Sequence, residues 1–171
     1  MSAPVPPDPW TALRRHTPAR IALGRTGASL PTSEVLAFSL AHAQARDAVH
    51  TPFDIQAVSD AVGGLGLAVL PVESAAPDRA TYLRRPDLGR QLSDASRAAL
   101  ERAPRRPADL AIVIADGLSS TAVHAHAASL IAALLPLIRA EGWSLAPVVV
   151  AHQARVALGD EVGEKLGARL V

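Results

Sequence analysis

The fold is decided by two apolar stretches in the last third of the chain: Leu110-Ala-Ile-Val-Ile-Ala115, which runs into Asp116-Gly117-Leu118-Ser119, and Ala146-Pro-Val-Val-Val-Ala151. Neither stretch alternates between apolar and polar residues. Such uninterrupted runs, rich in branched side chains, are typical of strands that are covered on both faces. Residues 169–171 have the character of a third strand.

Helix signals separate these predicted strands. A helix is predicted from Ser119 to about Glu141, closed by Gly142, and a second one over residues 160–166, closed by Gly167. Because the connections are short, the β-α-β-α-β order predicts parallel strands with right-handed crossovers in a three-layer α/β unit. A parallel sheet that stops at its third strand leaves an edge unpaired. We therefore expect the unit to be incomplete at its C-terminal end or to depend on a partner.

The preceding region is predicted to be mostly helical. Helices are expected over residues 9–16, 32–50 and 54–63, with a short strand-like run at 67–72 and two or three short helices in the arginine-rich segment 78–106. The fold class is thus α/β, a helical N-terminal region followed by a Rossmann-like domain with a three-layer parallel sheet. The domain plan is residues 1–19 as an N-terminal extension with a short helix, 20–106 as the helical region, and 107–171 as the incomplete Rossmann-like domain.

Composition excludes several kinds of site. The 171 residues contain no cysteine, which excludes disulfides, thiolate metal sites and a cysteine nucleophile. A formal net charge of +1 gives no argument for nucleic-acid binding. The first ten residues lack the charged start and apolar stretch of a signal peptide. A charge-free run at residues 117–138 is long enough to cross a bilayer, but its histidines, hydroxyls and proline favour a buried amphipathic helix.

The string Asp116-Gly117-Leu118-Ser119 is the first candidate site, because it lies where a buried strand gives way to a helix. Ligands of open α/β sheets bind beyond the carboxyl ends of the strands, and free N–H groups at a helix start favour an anion such as phosphate. The alternative is that Ser119 caps the helix while Asp116 and Gly117 form a tight turn. The two interpretations stay open at this point.

Arginines beside the lone tyrosine form the second candidate site. Arg84, Arg85 and Arg90 are suited to gripping a phosphate or the acidic surface of a partner, although a solvated face with carboxylates nearby is the more common arrangement. No set of nucleophile, base and acid stands out, and His124 and His126 point to different sides of a helix, which excludes a shared metal. We therefore predict no catalytic residue and no metal ligand in this chain.

Several strings, taken in order, resemble the small subunit of ethanolamine ammonia-lyase. The resemblance covers residue 20 to the C-terminus, nearly the whole chain. It is carried mainly by Arg20-Ile-Ala-Leu-Gly24-Arg25-Thr26-Gly27, Tyr82-Leu83-Arg84-Arg85-Pro86-Asp87-Leu88-Gly89-Arg90, Ala115-Asp116-Gly117-Leu118-Ser119, Arg155-Val156 and Asp160-Glu161-Val162-Gly163-Glu164. The second and third strings together are the most specific.

The resemblance implies an adenosylcobalamin-dependent lyase that converts ethanolamine to acetaldehyde and ammonia. A large TIM-barrel subunit holds the substrate in this family, and the small subunit helps enclose the cofactor at the interface, so the chain is expected to be inactive alone. Val156 matches a family position that contacts cobalamin, and Asp116, Gly117, Leu118 and Ser119 are predicted to form a second contact. The family continues past residue 171 into a Gly-Glu-Arg-Pro-Gly-Leu-Gly loop, so we expect a truncated chain.

Two other functions stay open on the sequence alone. One is a non-catalytic truncated remnant, and the other is a free-standing α/β module that binds phosphate or a nucleotide at the helix start near Ser119. For the leading interpretation we expect a hetero-oligomer with no nucleic-acid or membrane partner. Its expected location is the cytoplasm, either free or inside a bacterial microcompartment.

Overall fold

The helices and strands come from a computed structural model that describes residues 9–103 and 107–171. Within these residues the α-helices are α1 Thr32–His50, α2 Ile55–Gly63, α3 Arg79–Arg84, α4 Asp94–Arg102, α5 Ser120–Ala140 and α6 Leu158–Leu166. The strands are β1 Val69–Glu73, β2 Ala108–Leu110, β3 Val113–Ala115, β4 Val148–His152 and β5 Ala168–Leu170, and two short 3₁₀ helices span Pro9–His16 and Leu88–Arg90. The predicted α/β class is confirmed.

The chain divides into two compact units, Met1–Arg46 and Asp47–Val171. In the first unit, the Arg14 guanidinium donates to the Ile21 and Ala22 carbonyl oxygens at 3.0 and 2.6 Å and pairs with Glu34 at 3.2 Å. The helix α1 begins and ends where the sequence predicts, but no residue along its length is buried. The domain boundary predicted near residue 106 falls at residues 104–106, which lie outside the described part of the chain.

The second unit is built on a parallel sheet in the order β1-β4-β3. The side chains of the central strand β4 alternate between the two faces, and four of them are fully buried: Val148, Val149, Val150 and Ala151. One face packs against α2 and α5, and the other packs against α4 and α6. The sheet therefore lies between two helical layers, which confirms the three-layer prediction.

Two details of the predicted sheet are wrong. Residues 110–115 contain the end of one strand and the start of another rather than a single strand. The Ala111 N–H donates to the Leu170 carbonyl oxygen of β5 at 2.9 Å, whereas the Ile112 carbonyl oxygen accepts from the Val149 N–H of β4 at 2.9 Å. The strand β5 pairs with β2 in a separate two-stranded sheet. The third strand of the larger sheet is β1, which confirms the strand-like run predicted at 67–72 but takes the place in the sheet that was expected for residues 169–171.

The helix ends follow the local signals. Asp54 and Ser119 cap α2 and α5 by accepting hydrogen bonds from the N–H groups of Ala57 and Ala122, and Gly167 closes α6 with a φ of 68°. A residue without a side chain adopts this left-handed conformation at little cost, which explains glycine at a helix C-terminus. The capping alternative for Ser119 is thereby confirmed.

Helix α5 is, among the described residues, the one helix long and apolar enough to cross a membrane by length and composition alone. Three of its apolar side chains, Ile131, Leu135 and Ile138, are buried in the second unit, and Ile131 and Leu135 pack in the core beside the sheet. Leu130 and Leu137 on another side of the helix are 60% and 63% exposed. The helix is thus partly buried, with an apolar face left open to solvent.

Acid is expected to weaken the junction between β2 and the segment before β4. Hydrogen bonds from Ser144 and then from Arg169 hold the pKa of Asp109 at about 2, below the ordinary value of about 3.9. The stabilisation from this carboxylate is therefore complete above about pH 4 and is lost as the pH falls toward 2. The urea concentration at the midpoint of unfolding should decrease more between pH 5 and pH 3 for the unmodified chain than for Asp109→Ala. Ser144→Ala, which removes the hydroxyl donor, should also flatten the loss, and parallel pH dependences for all three proteins contradict the expectation.

Candidate functional site

The candidate site lies at the carboxyl edge of the β1-β4-β3 sheet. Because the three strands are parallel, their carboxyl ends meet at one edge. Asp116 directly follows β3, and residues 153–157, called the Val156 turn from here on, directly follow β4. This is the edge at which open α/β sheets place their ligands.

The Asp116 side chain is 1% exposed and is bonded to the Val156 turn. One carboxylate oxygen accepts from the Gln153 N–H and the other from the Ala154 N–H, both at 3.0 Å. The nearest basic groups are the Arg79 guanidinium, whose Nη1 is 3.4 Å from Oδ2, and the His152 ring, whose Nε2 is 4.0 Å from the same oxygen. Both carboxylate oxygens are therefore engaged inside the protein, where they fix the start of the turn.

Arg79, from α3, contacts the Asp116 carboxylate. Its Nε donates to the Val49 carbonyl oxygen at 2.7 Å, and its Nη1 donates to the Gln153 side-chain oxygen at 3.2 Å. Its Nη2 is buried without a hydrogen-bond partner among the described residues. The guanidinium thus neutralises Asp116 and ties the β4 end to α3, as buried charges require.

The ring of Tyr82 lies between two guanidinium groups and is 1% exposed. The Arg79 and Arg155 Cζ atoms are 4.7 and 4.6 Å from the ring centroid, within the range of cation–π attraction. Burial raises the pKa of the Tyr82 phenol above its ordinary value. Its hydroxyl donates to the Ala154 carbonyl oxygen at 3.4 Å, so Tyr82 also contacts the Val156 turn.

Val156, at the tip of the turn, is 97% exposed. The predicted contact residues Asp116, Gly117, Leu118 and Ser119 follow the neighbouring strand, and of these Leu118 is 55% exposed. The Ser119 N–H donates to the Asp116 carbonyl oxygen at 3.1 Å, and Gly117 has a φ of 50°, which makes the tight turn that the sequence indicated. The structure thus brings all the predicted cofactor residues to one edge of the sheet, and their contact with a cofactor stays a prediction.

Arg84, Arg85 and Arg90 are all exposed, and no described contact joins one of them to another. Arg85 forms a two-pronged pair with Asp87 at 3.0 and 2.6 Å, and this pairing holds the pKa of Asp87 below its ordinary value. The Arg84 Nε donates to the Ala80 carbonyl oxygen at 3.2 Å. A nearby carboxylate therefore does satisfy Arg85, while contact with a partner or a phosphate stays a prediction for all three.

Comparison with known proteins decides the family. The family model described as ethanolamine ammonia-lyase light chain (EutC) matches residues 7–171. The chain belongs to the ethanolamine ammonia-lyase light-chain family. The resemblance stated from the sequence is thus confirmed, and the name supports a lyase subunit.

Relatives in this light-chain family are highly identical to this chain, and the match covers only part of each relative's length. The ethanolamine ammonia-lyase small subunit of Ralstonia nicotianae is 58% identical over 172 residues, which cover 99% of this chain and 64% of that protein. The small subunit of Bradyrhizobium diazoefficiens is 58% identical, covering 100% and 66%, and that of Pseudomonas fluorescens SBW25 is 54% identical, covering 98% and 61%. This light chain therefore spans less than two-thirds of the length of these relatives.

Sequence reasoning missed two contributors to the light chain's carboxyl edge, Arg79 and Gln153. Both are held by packing between α3 and the β4 end, 74 residues apart along the chain. The sequence does contain one signal for this region, a lone tyrosine beside several arginines. Its burial between Arg79 and Arg155 depends on tertiary contacts that the spacing of residues does not reveal.

Proposed function

We propose that this light chain helps enclose adenosylcobalamin at the interface with a large subunit, in a complex that converts ethanolamine to acetaldehyde and ammonia. The relatives are named small subunits, which supports a complex with a large subunit. The matched family is named for an ammonia-lyase, which supports the reaction. The proposed location is the cytoplasm, free or within a bacterial microcompartment.

The observation that carries the proposal is the exposure of Val156 on a turn that is held in place from inside the protein. A valine that is 97% exposed, on a turn whose amides are bonded to a buried carboxylate, offers a rigid apolar contact to something outside this chain. The half-exposed Leu118 adds apolar surface at the same edge. The residues present therefore fit a large cofactor whose ring carries methyl groups among its amide side chains, placed where α/β sheets bind ligands.

The light chain's own residues would bind, orient and exclude water. Val156 and Leu118 would cover one side of the cofactor, and Asp116 would keep the Val156 turn in its position. Adenosylcobalamin, when bound, supplies a cobalt–carbon bond that breaks homolytically to start radical chemistry. Exclusion of water by apolar side chains protects such reactive intermediates from side reactions.

Co-expression with the cognate large subunit tests the proposal. We expect the two chains to co-purify and to release acetaldehyde from ethanolamine only when adenosylcobalamin is added. The full-length small subunit of the Ralstonia relative, paired with the same large subunit, is the positive control. A large subunit that works with the relative but neither binds nor is activated by this chain contradicts the proposal and supports a non-catalytic remnant.

A further inference from the structure

We infer that the segment from Tyr82 to Gly89 is a clamp that positions the Val156 turn for the cofactor. The inference rests on the proposed function, because it concerns the same turn. It assigns the Tyr-Leu-Arg-Arg-Pro-Asp-Leu-Gly string a task different from the grip on phosphate or a partner that its arginines suggested. The residues of this string that contact the turn are Tyr82 and Gly89, at its two ends.

Backbone contacts join the clamp to the turn. The Arg155 N–H donates to the Gly89 carbonyl oxygen at 2.7 Å, and the Arg155 Nη2 donates to the Tyr82 carbonyl oxygen at 3.1 Å. The Tyr82 hydroxyl donates to the Ala154 carbonyl oxygen at 3.4 Å. The clamp thus holds residues 154 and 155 through bonds additional to those of Asp116.

Gly89 lies so close to its neighbours that a side chain there would have to displace them by a few tenths of an ångström. A Cβ atom at this position would be 3.0 Å from two atoms of the Tyr82 ring and 3.2 Å from the Arg155 Cγ. Carbon atoms pack without strain at about 3.5–4.0 Å. Glycine therefore permits the close approach of the clamp to Arg155, and any added side chain would push against the Tyr82 ring and the Arg155 stem.

The start of the turn is held in an unfavourable backbone conformation. Gln153 has a φ of 54°, a conformation that residues with a side chain rarely adopt, and its N–H is held by Asp116. Such conformations persist only where the surroundings over-determine them, and they cluster at functional sites. Here the surroundings fix the base of the turn while its tip, Val156, contacts almost nothing in this chain. A turn fixed at the base and exposed at the tip is prepared for a contact with another molecule.

The test compares Gly89→Ala with Gly63→Ala, because a Cβ at Gly63 meets no atom within 4 Å. Amide hydrogen exchange of the full chain should accelerate in the peptide covering residues 153–157 for Gly89→Ala only. In the complex with the large subunit, the KM for adenosylcobalamin should rise at least tenfold while kcat at saturating cofactor stays within twofold. A variant that is merely less stable does not separate KM from kcat in this way at a temperature far below its melting transition.

The outcomes separate the clamp from the proposed function. If Gly89→Ala and Gly63→Ala have the same exchange rates and the same KM, the inference of a clamp is overturned, even where Val156→Asp weakens cofactor binding. If no complex forms, the proposed function fails and exchange alone decides the clamp. If Gly89→Ala does not fold, Arg155→Lys replaces it, because lysine keeps the charge but loses the planar group that stacks on Tyr82. A raised KM and faster exchange in Arg155→Lys then support the clamp, and unchanged values overturn it.

Discussion

Replacing Asp116 with alanine is expected to lower the free energy of unfolding by about 3–5 kcal/mol, the usual cost of removing one partner from a buried charge pair. The Asp116 side chain is 1% exposed and accepts from the N–H groups of Gln153 and Ala154. Alanine leaves both amides without their acceptors and leaves the Arg79 guanidinium without its only carboxylate neighbour among the described residues. The measurement is urea denaturation of the purified chain.

Asp94→Ala is the matched control, because the Asp94 side chain is fully exposed and its one ion pair among the described residues is with Arg97 on the same helix. Exposed pairs of this kind contribute little to stability because solvent screens them, so this variant should unfold close to the unmodified chain. Asp116→Asn, which keeps the shape but presents an NH₂ group to one of the two amides, should fall between the two alanine variants. Equal unfolding free energies for Asp116→Ala and Asp94→Ala contradict the assignment of Asp116 as the anchor of the Val156 turn.

Val156→Asp is expected to weaken adenosylcobalamin binding to the assembled complex by about 10- to 100-fold. Burying a valine side chain contributes about 1.5–3 kcal/mol, and each 1.4 kcal/mol is a tenfold change in affinity. Since Val156 is 97% exposed in the isolated chain, the substitution should leave the unfolding free energy of the chain unchanged. Titration of the complex with adenosylcobalamin, followed by absorbance, measures the change in Kd.

Leu137→Asp makes the same exchange of an apolar residue for an acid elsewhere. Leu137 is 63% exposed and lies near the end of α5, whereas the N-terminal end of that helix is at the carboxyl edge. We expect its Kd for adenosylcobalamin to match that of the unmodified complex. If Val156→Asp and Leu137→Asp give the same Kd, Val156 makes no contact with the cofactor.

The elements that the sequence predicted correctly are those with local signals. Residues 32–50 and 120–140 read as helices because their caps and stop residues lie within a few positions of the helix ends, as Ser119 and Gly142 illustrate. The break before β3 has no such signal. At the break the backbone changes partner from Leu170 of β5 to Val149 of β4, and only tertiary structure brings these residues to the segment.

The sequence correctly predicts where the candidate site lies, but it does not predict the contacts that the side chains make there. The end of a buried strand correctly located Asp116 at the carboxyl edge, because topology alone puts the following residue there. The burial of its carboxylate and its bonds to residues 153 and 154 follow from how β4 turns into α6, and no spacing in the sequence encodes that. In the arginine-rich string, the pair of Arg85 with Asp87 is only two residues apart and was within reach of sequence reasoning. The contact of Gly89 with Arg155 was not.

The most direct test of the central claim is a hydrogen-exchange footprint of the complex with and without adenosylcobalamin. The account predicts that added cofactor slows exchange in the peptides covering residues 116–119 and 153–157 of this chain, more than in those of α1. Slowed exchange confined to other parts of the complex, with both of these peptides unchanged, would contradict the claim that this edge faces the cofactor.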